Sequence, residues 1–315
     1  MNRKNLVTLF AAVGLALLGA SARAQTVADP NLYVAEYFNE DVFRFAPDGT
    51  GKTTFIAPFG TGQRFDQIAF APSGDLYVAA NNAGNIIHTF SPTGSSLGDF
   101  HASNPTANGV AVDSSGNVYG GSYGSSVSKY TASGTLLYTL AAGGAGSYNL
   151  TVDSSDNLYV SSYSNGTVRK FSSTGTDLGV FASGLGNSEG VAVDPFGNVY
   201  ISSRSLSNVQ KFNAAGSLLN TFTGFNDPIY LASDNLGNIY VTNYASGASG
   251  AGSVSKITFG GQNLGAITTG LSAPVGLAFR VPSVNGAAAP EPSSLALLVL
   301  PVLSVLVARR RTLTA

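Results

Sequence analysis

Residues 109–119, Gly-Val-Ala-Val-Asp-Ser-Ser-Gly-Asn-Val-Tyr, read as a short apolar run, a polar five-residue turn and a second apolar run ending on a tyrosine. Apolar residues that alternate, or run for only a few positions, suit strands rather than helices. Asp, Gly and Asn between them tolerate the backbone angles of a tight hairpin. Relatives of the segment stand at 67–78, 149–160, 190–201 and 230–241, with a half copy at 32–34. The closing tyrosines, Tyr33, Tyr77, Tyr119, Tyr159, Tyr200 and Tyr240, are separated by 44, 42, 40, 41 and 40 residues. A unit that returns at this interval predicts propeller blades.

Each full unit continues with a third strand, such as Val127-Ser128-Lys129-Tyr130 or Val168-Arg169-Lys170-Phe171, then a small-residue turn and a fourth strand. The basic residue between apolar ones predicts a third strand with one solvated face. Full units run over about 65–105, 107–142, 148–183, 188–224 and 228–270, whereas the first, 29–57, lacks its leading strand. Pro274 to Phe279 is a leading strand with nothing behind it. Pairing it with Leu32-Tyr33-Val34 closes an all-β ring, a six-bladed β-propeller of four-stranded blades over residues 30–281, and removes the exposed edges that an open ring would leave.

Glycine is 38 of 315 residues, above the usual ~7%, and the regular alternation around it assigns the excess to turns. With no cysteine, neither a disulfide nor a thiolate metal site is available. Setting aside residues 1–24 and 289–315 leaves 10 basic and 16 acidic residues, a net charge of −6, which argues against a nucleic-acid partner.

Both ends carry addressing patterns. Asn2-Arg3-Lys4, the uncharged apolar stretch Leu6 to Ala20 and Ala22-Arg23-Ala24 have the three parts of a signal peptide, with cleavage by signal peptidase expected after Ala24. A small-residue linker, 282–289, leads to Pro290-Glu291-Pro292, an apolar run from Leu295 to Ala308 and Arg309-Arg310-Arg311. Residues 290–311 resemble the PEP-CTERM sorting signal of Gram-negative bacteria. The resemblance implies transient retention at the inner membrane, recognition of Pro290, Glu291 and Pro292 by an exosortase, and delivery to the cell surface or extracellular matrix. Fourteen apolar residues at ~1.5 Å each fall short of a ~30 Å hydrocarbon core, which suits transient holding. The terminal arginines agree with the positive-inside rule.

The repeated Gly-Val-Ala-Val-Asp-x-x-Gly-Asn-Val-Tyr followed by Val-x-Lys-Phe resembles NHL repeats and the wider gluconolactonase-like propellers, over about residues 30–280. That group includes scaffolds, binders, lactonases and lyases, so the resemblance implies the fold and not an activity. Its ligands sit at the mouth, between the segments entering the innermost strands and those leaving the second strands. Aligned units put Asp66, Asn108, Tyr148, Glu189, Ile229 and Val275 at the first place. Tyr37, Asn81, Tyr123, Tyr163, Arg204 and Tyr244 take the second, four residues past each marker tyrosine.

Two readings follow. In one, the tyrosines with Arg204 and Asn81 form a rim that binds a glycan or a protein, with no cofactor and no catalysis. In the other, Glu36, Asp66, Asn108 and Glu189 hold Ca²⁺ or Mg²⁺ in a hydrolase or lactonase, as in gluconolactonase-like proteins. The histidines on which the lyases rely are lacking at the mouth: His88 falls in a third strand, as a surface residue, and His101 in a loop. No Gly-x-Ser-x-Gly elbow occurs.

Overall fold

Six four-stranded antiparallel sheets stand around a central axis, each built from consecutive strands except one. In that one, Pro274–Arg280 lies inside Asn31–Glu36, which is followed by Asp41–Phe45 and Thr53–Ile56. Leu32 faces Phe279 and Val34 faces Leu277, so the last strand closes the ring onto the first, as the sequence predicts. The computed structural model describes residues 31–58, 62–81, 86–100, 108–121, 126–143 and 147–280, with only the backbone of Ser147, Tyr148 and Gly247. The expected signal peptide with Ala24, the linker, and the tail with Pro290, Glu291 and Pro292 all lie outside the described residues. Among the described residues no helix is long and apolar enough to cross a membrane.

We number the blades from the closing one. The innermost strands of blades 1–6 are Pro274–Arg280, Arg64–Phe70, Gly109–Val112, Ser147–Val152, Ser188–Val193 and Pro228–Ser233. Each begins at the mouth and ends at the opposite face, where the Asp-x-x-Gly-Asn hairpins turn. In the turn of blade 3, Asp113 accepts hydrogen bonds from the Asn117 backbone at 2.8 Å and the Asn117 amide at 2.8 Å, and Gly116 takes φ +81°. That left-handed angle explains the glycine, since a β-carbon there would crowd the following carbonyl.

The marker tyrosines are core residues. Five of the six are exposed by 1% or less, packed between neighbouring blades. Burying a ring of this size contributes about 2–3 kcal/mol to each blade-to-blade seam.

The lysines of the third strand depart from expectation. They do not face solvent: each pairs in register with a marker tyrosine and lies over its ring, as Lys129 over Tyr119 at 4.8 Å and Lys256 over Tyr240 at 4.9 Å. Lys129 is buried and forms an ion pair with Asp113 at 2.8 Å, and Lys170 reaches Asp153 at 3.6 Å. A turn carboxylate, an aromatic face and an ammonium thus form one cluster in these blades, and the residue that looks like solvated decoration is internal. His88 likewise is buried, its Nδ1 2.7 Å from Asp99 and its Nε2 2.6 Å from Gln63.

Near the axis the inner strands crowd together. A β-carbon on Gly190 would come 2.3 Å from the Ile229 carbonyl oxygen, and one on Gly276 2.3 Å from that of Asp66. Ser161 and Ser202 donate to the inner-strand carbonyls of Glu189 and Ile229 in the next blade, at 2.6 Å each. The Gln67 side chain crosses from blade 2, accepting from the Val110 and Leu150 amides at 3.1 and 3.0 Å and donating to the Leu150 carbonyl at 2.6 Å.

Candidate functional site

At the mouth is a cavity of about 160 Å³ lined by Tyr37, Asp66, Asn81, Asn108, Glu189, Arg204, Ile229, Tyr230, Tyr244 and Val275. Its floor comes from the starts of the innermost strands. Asp66, Glu189, Ile229 and Val275 sit there because the chain enters each inner strand from the mouth, and Asn108 just ahead of one. Its wall comes from the segments leaving the second strands, which bring Tyr37, Asn81, Arg204 and Tyr244 over the floor.

Polar groups of the floor are coupled. Asp66 is buried and accepts hydrogen bonds from the Tyr230 hydroxyl, from Asn81 at 3.0 Å and from Asn108. Loss of solvent dominates over these donors and pushes its carboxyl up to about 7. Burial also pushes Glu189 up to about 7, against the opposing effect of Arg204 and with help from the negative charge of Asp66. Desolvation, reinforced by Asp66, holds the Tyr230 hydroxyl well above its ordinary value, so it stays a proton donor.

Arg204 organises the wall. Its guanidinium forks onto Asp227, through Nε and through Nη2 at 3.0 Å, and its Nη1 lies 3.4 Å from Glu189. The same plane lies over the Tyr244 ring at 5.2 Å. Tyr244 meets Tyr37 edge to face at 6.4 Å, and the Arg64 guanidinium covers Tyr37 at 5.3 Å. Aromatic faces backed by cations are rigid, which suits them to flat apolar contacts.

Several sequence expectations resolve differently. Glu36 does not reach the cavity: its carboxylate accepts from the Ser272 amide at 2.8 Å and from Asn39 at 2.6 Å, and so ties the first blade to its closing segment. Tyr163 is half-buried and does not line the cavity. Tyr123 lies outside the described residues. Tyr230 and Asp227 belong to the site without having been singled out by the repeat alignment. A signal for Tyr230 existed, because its equivalents are Gln67, Gly109, Asn149, Gly190 and Gly276, and a large aromatic among such residues must project toward the axis.

A hard dication takes about six to eight oxygen ligands and favours ionised carboxylates. Here Asp66 receives three donors and a guanidinium stands beside Glu189. Among the described residues no three His, Cys, Asp or Glu side chains gather as metal ligands. Of the four residues expected to hold Ca²⁺ or Mg²⁺, Asp66, Asn108 and Glu189 line the cavity and Glu36 does not.

Fold and cavity together define the class: a six-bladed β-propeller with four-stranded antiparallel blades and an aromatic-walled, acid-floored mouth. The chain is similar to a solved protein of unknown function from Bacteroides caccae, at 12% identity and a TM-score of 0.63, over 80% of this chain and 98% of the other. It is similar also to streptogramin B lyase, at 15% identity and a TM-score of 0.58, over 79% of this chain and 83% of the other. Likeness at such low identity concerns the fold alone. No protein-family profile matches the chain, and no curated protein does.

Proposed function

We propose that this protein is an exported NHL-type propeller, processed by signal peptidase and an exosortase, that binds the end of a carbohydrate chain at the cell surface or in the extracellular matrix. One observation carries the reading: a cavity of about 160 Å³ in which Tyr37 and Tyr244 stand over a floor of hydrogen-bonding amide, carboxyl and phenol groups. Sugars present apolar ring faces and polar edges, and tyrosine walls over polar floors match both. The volume is below the roughly 300–1,000 Å³ of cavities that enclose drug-sized ligands, so a terminal residue fits better than a whole cofactor.

Tyr37→Ala with Tyr244→Ala is expected to abolish retention of the folded protein on a glycan array or an exopolysaccharide column. Undiminished retention would overturn the reading. A second reading, general acid–base catalysis on such a ligand, is favoured by one feature: Asp66 and Glu189 face the same cavity, each with a carboxyl near 7, the range in which a group both gives and takes a proton. Release of a reducing end or ring-opened product by the wild type, lost in Glu189→Gln, would support catalysis over simple binding.

A further inference from the structure

The chain enters and leaves the propeller on one face. Asn31 pairs with Arg280 at one end of the closing blade, and Glu36 pairs with Pro274 at the other, the mouth end. Both termini therefore depart from the face opposite the cavity. That same face carries apolar side chains in a repeated place. Leu97, Leu136, Leu178, Leu218 and Leu264 occupy the start of the outer strand in five of the six blades, just past the turn from the third strand, and each is about half exposed. In turns of the same face, Phe196 of blade 5 and Phe259, in the turn just before Leu264 of blade 6, meet at a tilt with ring centres 4.7 Å apart and 58% and 51% exposure, and Leu236 beside them is 64% exposed. Large apolar residues scattered singly need no partner, but five blades here repeat one exposed apolar place on a single face, with an exposed aromatic pair on the same face.

We infer that this face docks on a lipid surface, which leaves the mouth cavity pointing away from the membrane. The inference rests on the reading of the C-terminal tail as a membrane-held sorting signal. Residues 281–294 separate Arg280 from the apolar run that begins at Leu295. Fully extended they reach at most about 50 Å, which bounds how far a tail held in the bilayer lets Arg280 stand from it. The apolar run is itself short for a bilayer, and added apolar contact from the body would strengthen a weak hold. The contact is apolar rather than electrostatic, because residues outside the terminal segments carry a net charge of −6, which repels an anionic headgroup layer.

The chain contains no tryptophan, so one introduced residue reports its own surroundings. The test places the chain with its tail in phosphatidylcholine vesicles containing a brominated phosphatidylcholine, with Phe259→Trp on the exit face and Phe38→Trp on the mouth face. Phe196→Trp serves as a second exit-face reporter if the first fails to fold. Docking predicts that an exit-face reporter is blue-shifted and strongly quenched, that the Phe38→Trp reporter is not, and that high salt leaves both unchanged. Leu97→Ser with Leu178→Ser and Leu218→Ser should weaken the exit-face quenching while flotation with the vesicles persists.

Flotation without exit-face quenching would overturn the docking and leave the tail reading standing. Failure to float would overturn both. Equal quenching of the two reporters would overturn the orientation. A blue shift without bromine quenching, accompanied by a dimer mass, would assign the exit face to a second copy and also overturn the inference.

Discussion

Replacing Asp66 by Asn isolates the electrostatic cost of the mouth floor. Asp66 titrates at about 7 in the folded protein against an ordinary 3.8. Below the ordinary value both folded and unfolded chains hold the proton, and above about 7 neither does. Between the two, the folded chain keeps a proton that the unfolded chain has released, so stability falls as pH rises through this window. From about pH 5 to about pH 8 the carboxyl spends two pH units in that condition, which at 1.36 kcal/mol each amounts to about 3 kcal/mol. Glu189, raised from 4.5 to about 7, acts in the same direction, and because the two carboxyls repel each other their effects do not add in full.

The assay is urea denaturation followed by far-ultraviolet circular dichroism at about pH 5 and about pH 8, with the pH dependence as readout rather than absolute stability. That choice matters because an Asn at position 66 sets an amide donor against the Asn81 amide, a separate loss that does not vary with pH. The wild type should lose several kcal/mol over the interval, and Asp66→Asn should flatten the profile by about 3 kcal/mol. A wild type equally stable at both ends, or a variant with the same slope as the wild type, would refute the account of a desolvated carboxyl.

Other outcomes follow from the packing. Gly190→Ala should cost about 1–3 kcal/mol in the same denaturation assay, because its β-carbon meets the Ile229 carbonyl oxygen at 2.3 Å and two inner strands must separate to admit it. Lys129→Ala should cost about 3 kcal/mol by stranding the buried Asp113 carboxylate, whereas Arg169→Ala, whose partner Asp177 is exposed, should cost less than about 1 kcal/mol. Gln67→Leu should cost about 3 kcal/mol or more, since it strips partners from the Val110 and Leu150 amides and the Leu150 carbonyl. Hydrogen exchange should show faster opening of blades 3 and 4 in this variant.

What could be read from the sequence was whatever is encoded within a blade. The marker tyrosines, the Asp-x-x-Gly-Asn turns and the strand alternation are local, so blade number, ring closure and the floor positions Asp66, Asn108, Glu189, Ile229 and Val275 follow from counting. What a side chain does between blades is not local. Even within one blade, Lys129 reads as solvated until folding brings the turn carboxylate of Asp113 and the ring of Tyr119, earlier in the same blade, around it. Glu36 reads as a ligand until Ser272, 236 residues away, takes its oxygen. Asp227 gains its place only through the fork of Arg204 from the neighbouring blade.

The Gln67 crossbar has a topological consequence. Beside it lies a second chamber of about 190 Å³, lined by Gln67 and the lower halves of the inner strands from all six blades. One side chain of blade 2 thus holds the inner strands of blades 3 and 4 at the head of that chamber. Three neighbouring sectors therefore share one fastener, and losing it slackens them together rather than one at a time.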